Sequence, residues 1–168
     1  MSVVVRAADA ADASALVALA SAVGAEPEGW LLADSQWRSV GDERRYIRAL
    51  RRHPDAALFV AELDGAIVGR LSLSRDPHPS SSHVADLGVM VAAAHRRRGV
   101  GTALMRAAET WARRARVSKL ELHVFPYNTP AIALYEKLGY EHEGHRRRHY
   151  RRPDGSFVDA VLMAKLLR

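Results

Sequence analysis

Residues 85 to 104, ADLGVMVAAAHRRRGVGTAL, constrain the fold more than any other stretch of the chain. An apolar run of strand type gives way to three arginines and two glycines. Apolar positions at helical spacing follow, at Leu104, Ala108, Trp111 and Ala115. Two familiar phosphate loops do not fit. A P-loop needs a lysine after its second glycine, and none follows Gly101. A dinucleotide fingerprint needs a third glycine at position 104, where Leu104 stands. What survives is Arg96-x-x-Gly99-x-Gly101 between a strand and a helix. Small residues there let backbone approach a ligand, and the N–H groups of a helix start favour an anion. The same residues also serve a tight turn with solvated arginines, and the loop alone admits both readings.

The rest of the chain supplies partners for this unit. VVVRAA reads as a first strand, and DAADASALVALASAVG as a helix with Asp9 as its N-cap, Leu16, Leu19, Ala20 and Val23 on one face, and Gly24 as its stop. A second helix is expected over about residues 42–52, ending before Pro54. AALFVAEL and AIVGRLSLS flank Asp64-Gly65, a tight-hairpin signal. After the glycine loop and its helix come the strand KLELHVF, a short helix from about Asn128 to Leu138, and a last hairpin across Pro153-Asp154-Gly155-Ser156. Glu26 to Val40 resists assignment. The order β-α-α-β-β-β-α-β-α-β-β predicts an α/β fold with a mixed sheet and helices on both faces. Residues 1–168 show no repeat, low-complexity segment or linker and are expected to form one domain.

Composition narrows the chemistry. A net charge of +6 favours an anionic partner without choosing one. With 0 cysteines there is no disulfide, thiolate zinc site or thiol nucleophile. The 8 histidines lack metal-ligand spacing, so no metal is expected. The uncharged stretch ASALVALASAVGA at 13–25 is too short for a bilayer span and follows Asp9 and Asp12 instead of a positive flank. No membrane association and a cytoplasmic location are expected.

A second constellation is YNTPAIALYEKLGY, residues 127 to 140. Asn128 stands where an N-cap belongs and Pro130 suits a first turn. Tyr135, seven residues on, returns to nearly the same face about 10 Å along the axis. Taken together, the two stretches resemble the GCN5-related N-acetyltransferase superfamily. Arg96, Gly99 and Gly101 match its acetyl-CoA loop, while Asn128, Ala131, Leu134, Tyr135, Gly139 and Tyr140 match its later segment. The resemblance covers residues 56–167 and extends to 1–55 only in element order. Ala93, where many relatives carry proline, is a small departure. Within the superfamily, SHVADLGVMV, LELHVFPYNTPAIALYEKLGYEHEG and DGSFVDAVLMAKL look most like bacterial enzymes that acetylate free amino acids, notably phenylalanine and methionine.

The resemblance implies acetyl-CoA as cosubstrate, with its pantetheine along Val89, Met90 and Val91. It implies a pyrophosphate on the N–H groups of Arg96, Arg97, Arg98, Gly99, Val100, Gly101 and Thr102. Asn128 would hold the pantetheine or the acceptor side, and Tyr135 would stand near the sulfur as general acid. Lacking a thiol, the chain is expected to transfer the acetyl group directly to a primary amine. Asp86, Glu62 and Glu121 are candidate bases, with Asp86 preferred because it precedes the pantetheine strand. Trp30 and Trp37 are expected at the acceptor, and an acceptor carboxylate would need a cation, for which Arg70, Arg75 and His83 are nominated. The alternatives are a protein N-terminus or lysine as acceptor, or a sensor that binds acetyl-CoA without turnover. The arginine-rich run HRRRHYRR at 145–152 reads as a solvated hairpin face, so no nucleic-acid partner is expected. A homodimer through the C-terminal strands is possible from the resemblance.

Overall fold

A computed structural model describes residues 2–32 and 37–168. Its strands are β1 (Val4–Ala7), β2 (Ala56–Leu63), β3 (Ala66–Arg75), β4 (Val84–Val91), β5 (Lys119–Val124), β6 (Glu141–Arg151) and β7 (Phe157–Leu166). The helices are α1 (Ala13–Gly24), α2 (Val40–Arg52), α3 (Val100–Arg114) and α4 (Thr129–Lys137). This is the element order expected from sequence. The strands form one mixed sheet in the order β1-β2-β3-β4-β5-β7-β6, in which β4 and β5 run parallel and the other neighbours antiparallel.

Local chemistry explains the boundaries. Asp9 caps a single 3-10 turn, Ala10–Asp12, whose Asp12 carboxylate returns a bond to the Asp9 N–H, and only then does α1 begin. The cap is where the sequence puts it, but the helix starts one turn later. Ser39 caps α2 through the Asp42 N–H, which moves its start two residues ahead of Asp42. Asp64 and Gly65 both take positive φ, 52° and 79°, as a two-residue hairpin turn requires.

The two faces of the sheet are covered unequally. On one, α3 seats the fully buried Leu104, Met105 and Ala108 against Leu71, Leu73, Ala85, Leu87, Leu120 and Leu122. On the other, α1 and α2 pack Leu16, Leu19, Val23 and Ile47 against Leu58 and Val60 of β2. Beyond β2 that helical layer thins, and Ser74, Asp86 and Gly88 lie exposed in the central strands. Small and polar residues at inward-alternating positions of central strands mark a trough, not a core.

Candidate active site

The trough begins where two strands part. β4 and β5 pair only from Val84↔Lys119 to Asp86↔Glu121, although β4 runs on to Val91 and β5 to Val124. Past that vertex the β5-facing backbone of Leu87 to Val91 has no strand partner, so an extended amide-bearing chain can take its place in the ladder.

The chain then enters the glycine loop. Arg97 and Gly99 adopt left-handed φ values of 61° and 83°, and Gly99 stands as the N-cap of α3. Among the described residues, the backbone N–H groups of Arg97 to Thr102 have no backbone acceptor; the first donor served is that of Ala103, which bonds Gly99 O at 3.0 Å. Alternating hand turns such N–H groups into a concave anion site at the positive end of a 15-residue helix. Gly101 is required for a different reason. A Cβ there would meet Leu134 Cδ2 at 2.9 Å, so its absence lets α4 close on the first turn of α3.

The Arg96 side chain is occupied otherwise. Its Nη atoms grip both carboxylate oxygens of Glu26 at 2.6 Å, and its Nε donates to Val91 O at 3.1 Å. Glu26 also accepts from Trp30 Nε1 at 2.8 Å. Arg96 therefore ties the segment after α1 to the glycine loop and has no fork left for a phosphate.

α4 brings the later motif alongside. Asn128 Oδ1 accepts the Ala131 N–H at 3.3 Å, so its side chain is a helix cap. Tyr135 is buried within the core on the α3 side, its ring 6.1 Å from that of Tyr140, and burial pushes its hydroxyl up to about 12. A hydroxyl so weakly acidic stays protonated at neutral pH and can act as a proton donor but not as a base.

Asp86 lies at the vertex on the trough side. Solvent reaches it, yet the flanking strands crowd it, and this desolvation, with Glu121 opposite, pushes its carboxyl up to about 6, against a smaller opposing pull from Arg146. Next along β5, His123 Nδ1 lies 2.9 Å from Tyr150 Oη, and the imidazole is held below its usual range by burial, Arg146 and His149. Across the trough, Trp30, Tyr127, Phe125 and Tyr150 form an aromatic wall, with successive ring centroids 6.1, 5.4 and, from Phe125 to Tyr150, 6.2 Å apart. Arg152 fastens it, donating to Gly29 O and Leu31 O at 3.0 Å and to Tyr127 Oη at 2.6 Å, while Tyr127 donates to Gly29 O. Tyr127, Phe125, Tyr150 and Arg152 escaped the sequence reading. The two-residue spacing of His123, Phe125 and Tyr127 was the available signal for part of this wall.

The nominated acceptor residues separate. Trp30 stands on the aromatic wall and Trp37 on the opposite side, over β3. Arg75 and His83 do not reach the trough. They sit at the end of the β3/β4 ladder away from the glycine loop, where Arg75 binds Asp55 Oδ1 at 2.7 Å and the carbonyls of Ser82 and Ala115. Its guanidinium is consumed in joining three loops. The side chain of His83 is exposed there, and its carbonyl serves Ser118 and Lys119. Glu62, another candidate base, is spent on Arg6 at 2.6 Å, far out on the β1/β2 edge.

Residues 26–140 match the model of the Acetyltransferase (GNAT) family. The L-amino acid N-acetyltransferase AaaT of Escherichia coli K12 is 40% identical over 121 residues, which are 70% of this chain and 72% of that protein. The N-alpha-acetyltransferase of Sulfurisphaera tokodaii is 36% identical over 121 residues, 66% of this chain and 69% of that protein. Among solved structures, the acetyltransferase of the GNAT family from Streptococcus pneumoniae superposes with a TM-score of 0.88 at 26% identity, covering 99% of this chain and 100% of that one.

Proposed function

Because the chain belongs to the acetyltransferase (GNAT) family and is an acetyl-CoA-dependent N-acetyltransferase, we propose that its acceptor is the α-amino group of a free amino acid with an apolar side chain. The observation that carries this reading is the trough itself. Its floor at Asp86 and Gly88 is polar and small, its one wall is aromatic, and it meets the strand parting at a single vertex. A large apolar side chain gains by covering aromatic rings there, while an amine held over the floor faces a carboxylate.

Acetyl-CoA supplies the activated thioester. The unpartnered N–H groups from Arg97 to Thr102 suit its pyrophosphate, and the free edge of Val89 to Val91 suits its pantetheine amides. Asp86, ionised above about pH 6, takes the proton from the acceptor ammonium, directly or through water. The amine nitrogen then attacks the thioester carbonyl, the new C–N bond forms as the C–S bond breaks, and Tyr135 gives its proton to the departing thiolate. Absence of any cysteine supports one direct transfer without a thiol acyl-enzyme.

A second reading, acetylation of a protein N-terminus, is compatible with the Sulfurisphaera relative, whose name is N-alpha-acetyltransferase. The two part in one assay: CoA release from acetyl-CoA with free amino acids and with short peptides beginning in the same residues, each product identified by mass. Faster turnover of free apolar amino acids supports the proposal, and turnover of peptides alone overturns it. In the same assay Tyr135→Phe is expected to lower kcat about 100-fold with acetyl-CoA affinity retained. Unchanged kcat would remove Tyr135 as the acid.

A further inference from the structure

The wall of the trough opposite the aromatic rings holds a buried cation with an unmet donor. Arg70 lies on β3, across the register from Met90 and on the same face as Ser72, two residues on. Its side chain is only 5% exposed. Nη2 stands 3.7 Å from Glu43 Oε1, too far for a hydrogen bond, and among the described residues neither Arg70 Nε nor Glu43 Oε1 has a partner. Glu43 Oε2 is taken by Arg38 Nη1 at 2.7 Å and Trp37 Nε1 at 3.3 Å. Both guanidinium groups lie 4.9 Å from the centre of the Trp37 ring, and both also face Tyr46. Two arginines against one carboxylate leave the cluster a net positive charge, set in a wall where water cannot fully solvate it. Such a group is costly unless an anion completes it.

Three of the other arginines weighed for the site are spent, and Arg146, whose charge reaches Asp86 and His123, is exposed on β6 and not set in the wall as Arg70 is. Arg96 is bound to Glu26, Arg152 to two carbonyls and Tyr127, and Arg75 to Asp55 and two carbonyls at the far end. Resting on the amino-acid reading above, we infer that Arg70 is the anchor for the acceptor carboxylate. A carboxylate is the anion that matches a guanidinium fork in shape and charge. One carbon separates it from the amine, so a carboxylate at Arg70 holds the amino group over the Ser72 and Gly88 floor, between β3 and the parted edge of β4. The side chain is left to extend toward the rings of Tyr127 and Phe125. Arg70 thereby sets the choice of acceptor, a free amino acid over its amide or a peptide.

The test separates binding from turnover. Tryptophan emission, sensitive here because Trp37 lies on Arg70, is titrated with 3-phenylpropanoate and with 3-phenylpropanamide, neither of which can be acetylated. The carboxylate is expected to bind at least tenfold tighter than the amide. Arg70→Gln should reduce that preference below about threefold, whereas Glu43→Gln, which removes the competing carboxylate, should keep or enlarge it. Circular dichroism reports folding of each variant. If Arg70→Gln does not fold, Arg70→Lys, which keeps the charge and loses the fork, decides the matter together with Glu43→Gln: a weakened preference in the first and a retained one in the second supports the anchor. Equal binding of the two probes to the parent protein overturns the inference, as does a preference indifferent to Arg70. Turnover of L-phenylalanine and L-phenylalaninamide completes the test. A preference that tracks Arg70 without turnover of any free amino acid refutes the acceptor reading and leaves the subsite. Amino-acid turnover indifferent to Arg70 refutes the subsite and leaves the reading.

Discussion

The two faces of β4 divide the labour of this protein. Ala85 and Leu87 point into the layer under α3 and are buried, while Asp86 and Gly88, alternating with them, face the trough and stay exposed. One strand thus contributes to core and site through nothing more than the two-residue alternation of side chains. The difference teaches where chemistry can be placed in such a sheet. The α3 side is filled and tolerates little change, whereas the side that α1 and α2 leave bare in the middle can hold polar groups at low cost in packing.

The largest effect should come from damaging the filled face. Leu104→Ala removes a side chain with no exposed surface and should cost about 3 kcal/mol, lowering Tm by roughly 10 °C. Measured well below the new Tm, its kcat should stay within about twofold of the parent. A hundredfold loss of kcat at full folding would mean that the two faces are not separable.

Asp86→Asn makes the opposite trade. We expect kcat/KM to fall about 100-fold at pH 8 and the acidic limb near pH 6, set by Asp86 in the parent, to disappear. Stability should move the other way. The folded carboxyl is raised from 3.8 to about 6, so ionising it above pH 6 weakens the fold, an effect reduced by its solvent exposure. The variant should therefore melt slightly higher than the parent above pH 6, and the two should converge below about pH 4. A lower melting temperature at pH 8 would make Asp86 a structural residue.

The smallest effect probes the join between the cosubstrate loop and the acceptor side. Glu26→Gln loses the ion pair with Arg96 while keeping part of the hydrogen bonding, and should raise the acceptor KM about threefold with little change in the KM for acetyl-CoA. The reverse pattern would assign Arg96 to the phosphates after all.

What could be read from sequence follows the same division. The element order, the Asp64-Gly65 turn, the Asn128 cap and the glycines at 99 and 101 obey rules that span a few residues, and all were legible. The acceptor side was not, because its contacts join distant parts of the chain. Arg96 meets Glu26 from 70 positions away, and Arg152 meets Gly29 from 123. Arg70 and Arg75 show how little the local pattern says. Five positions apart on one strand, they look alike in sequence. One is tied down by Asp55, Ser82 and Ala115 at the far end, and the other is left beside the trough with a donor unmet. The late start of α1 has a local cause that propensity alone misses, since the Asp9 and Asp12 carboxylates favour a tighter first turn.

The position of β7 bears on how the molecule is made. The last strand is not added at the margin of the sheet; it lies between β5 and β6 and bonds to both. During synthesis, β6 emerges before the strand that must hold it, and with it Tyr150 and Arg152, which complete the aromatic wall and pin Gly29. A chain stalled before Phe157 has every motif of the cosubstrate loop already translated and no means of assembling the acceptor wall. β7 must emerge from the ribosome before the trough can close into a site, so products that end before Phe157 are expected to be inert toward acceptors even when their N-terminal strands have folded.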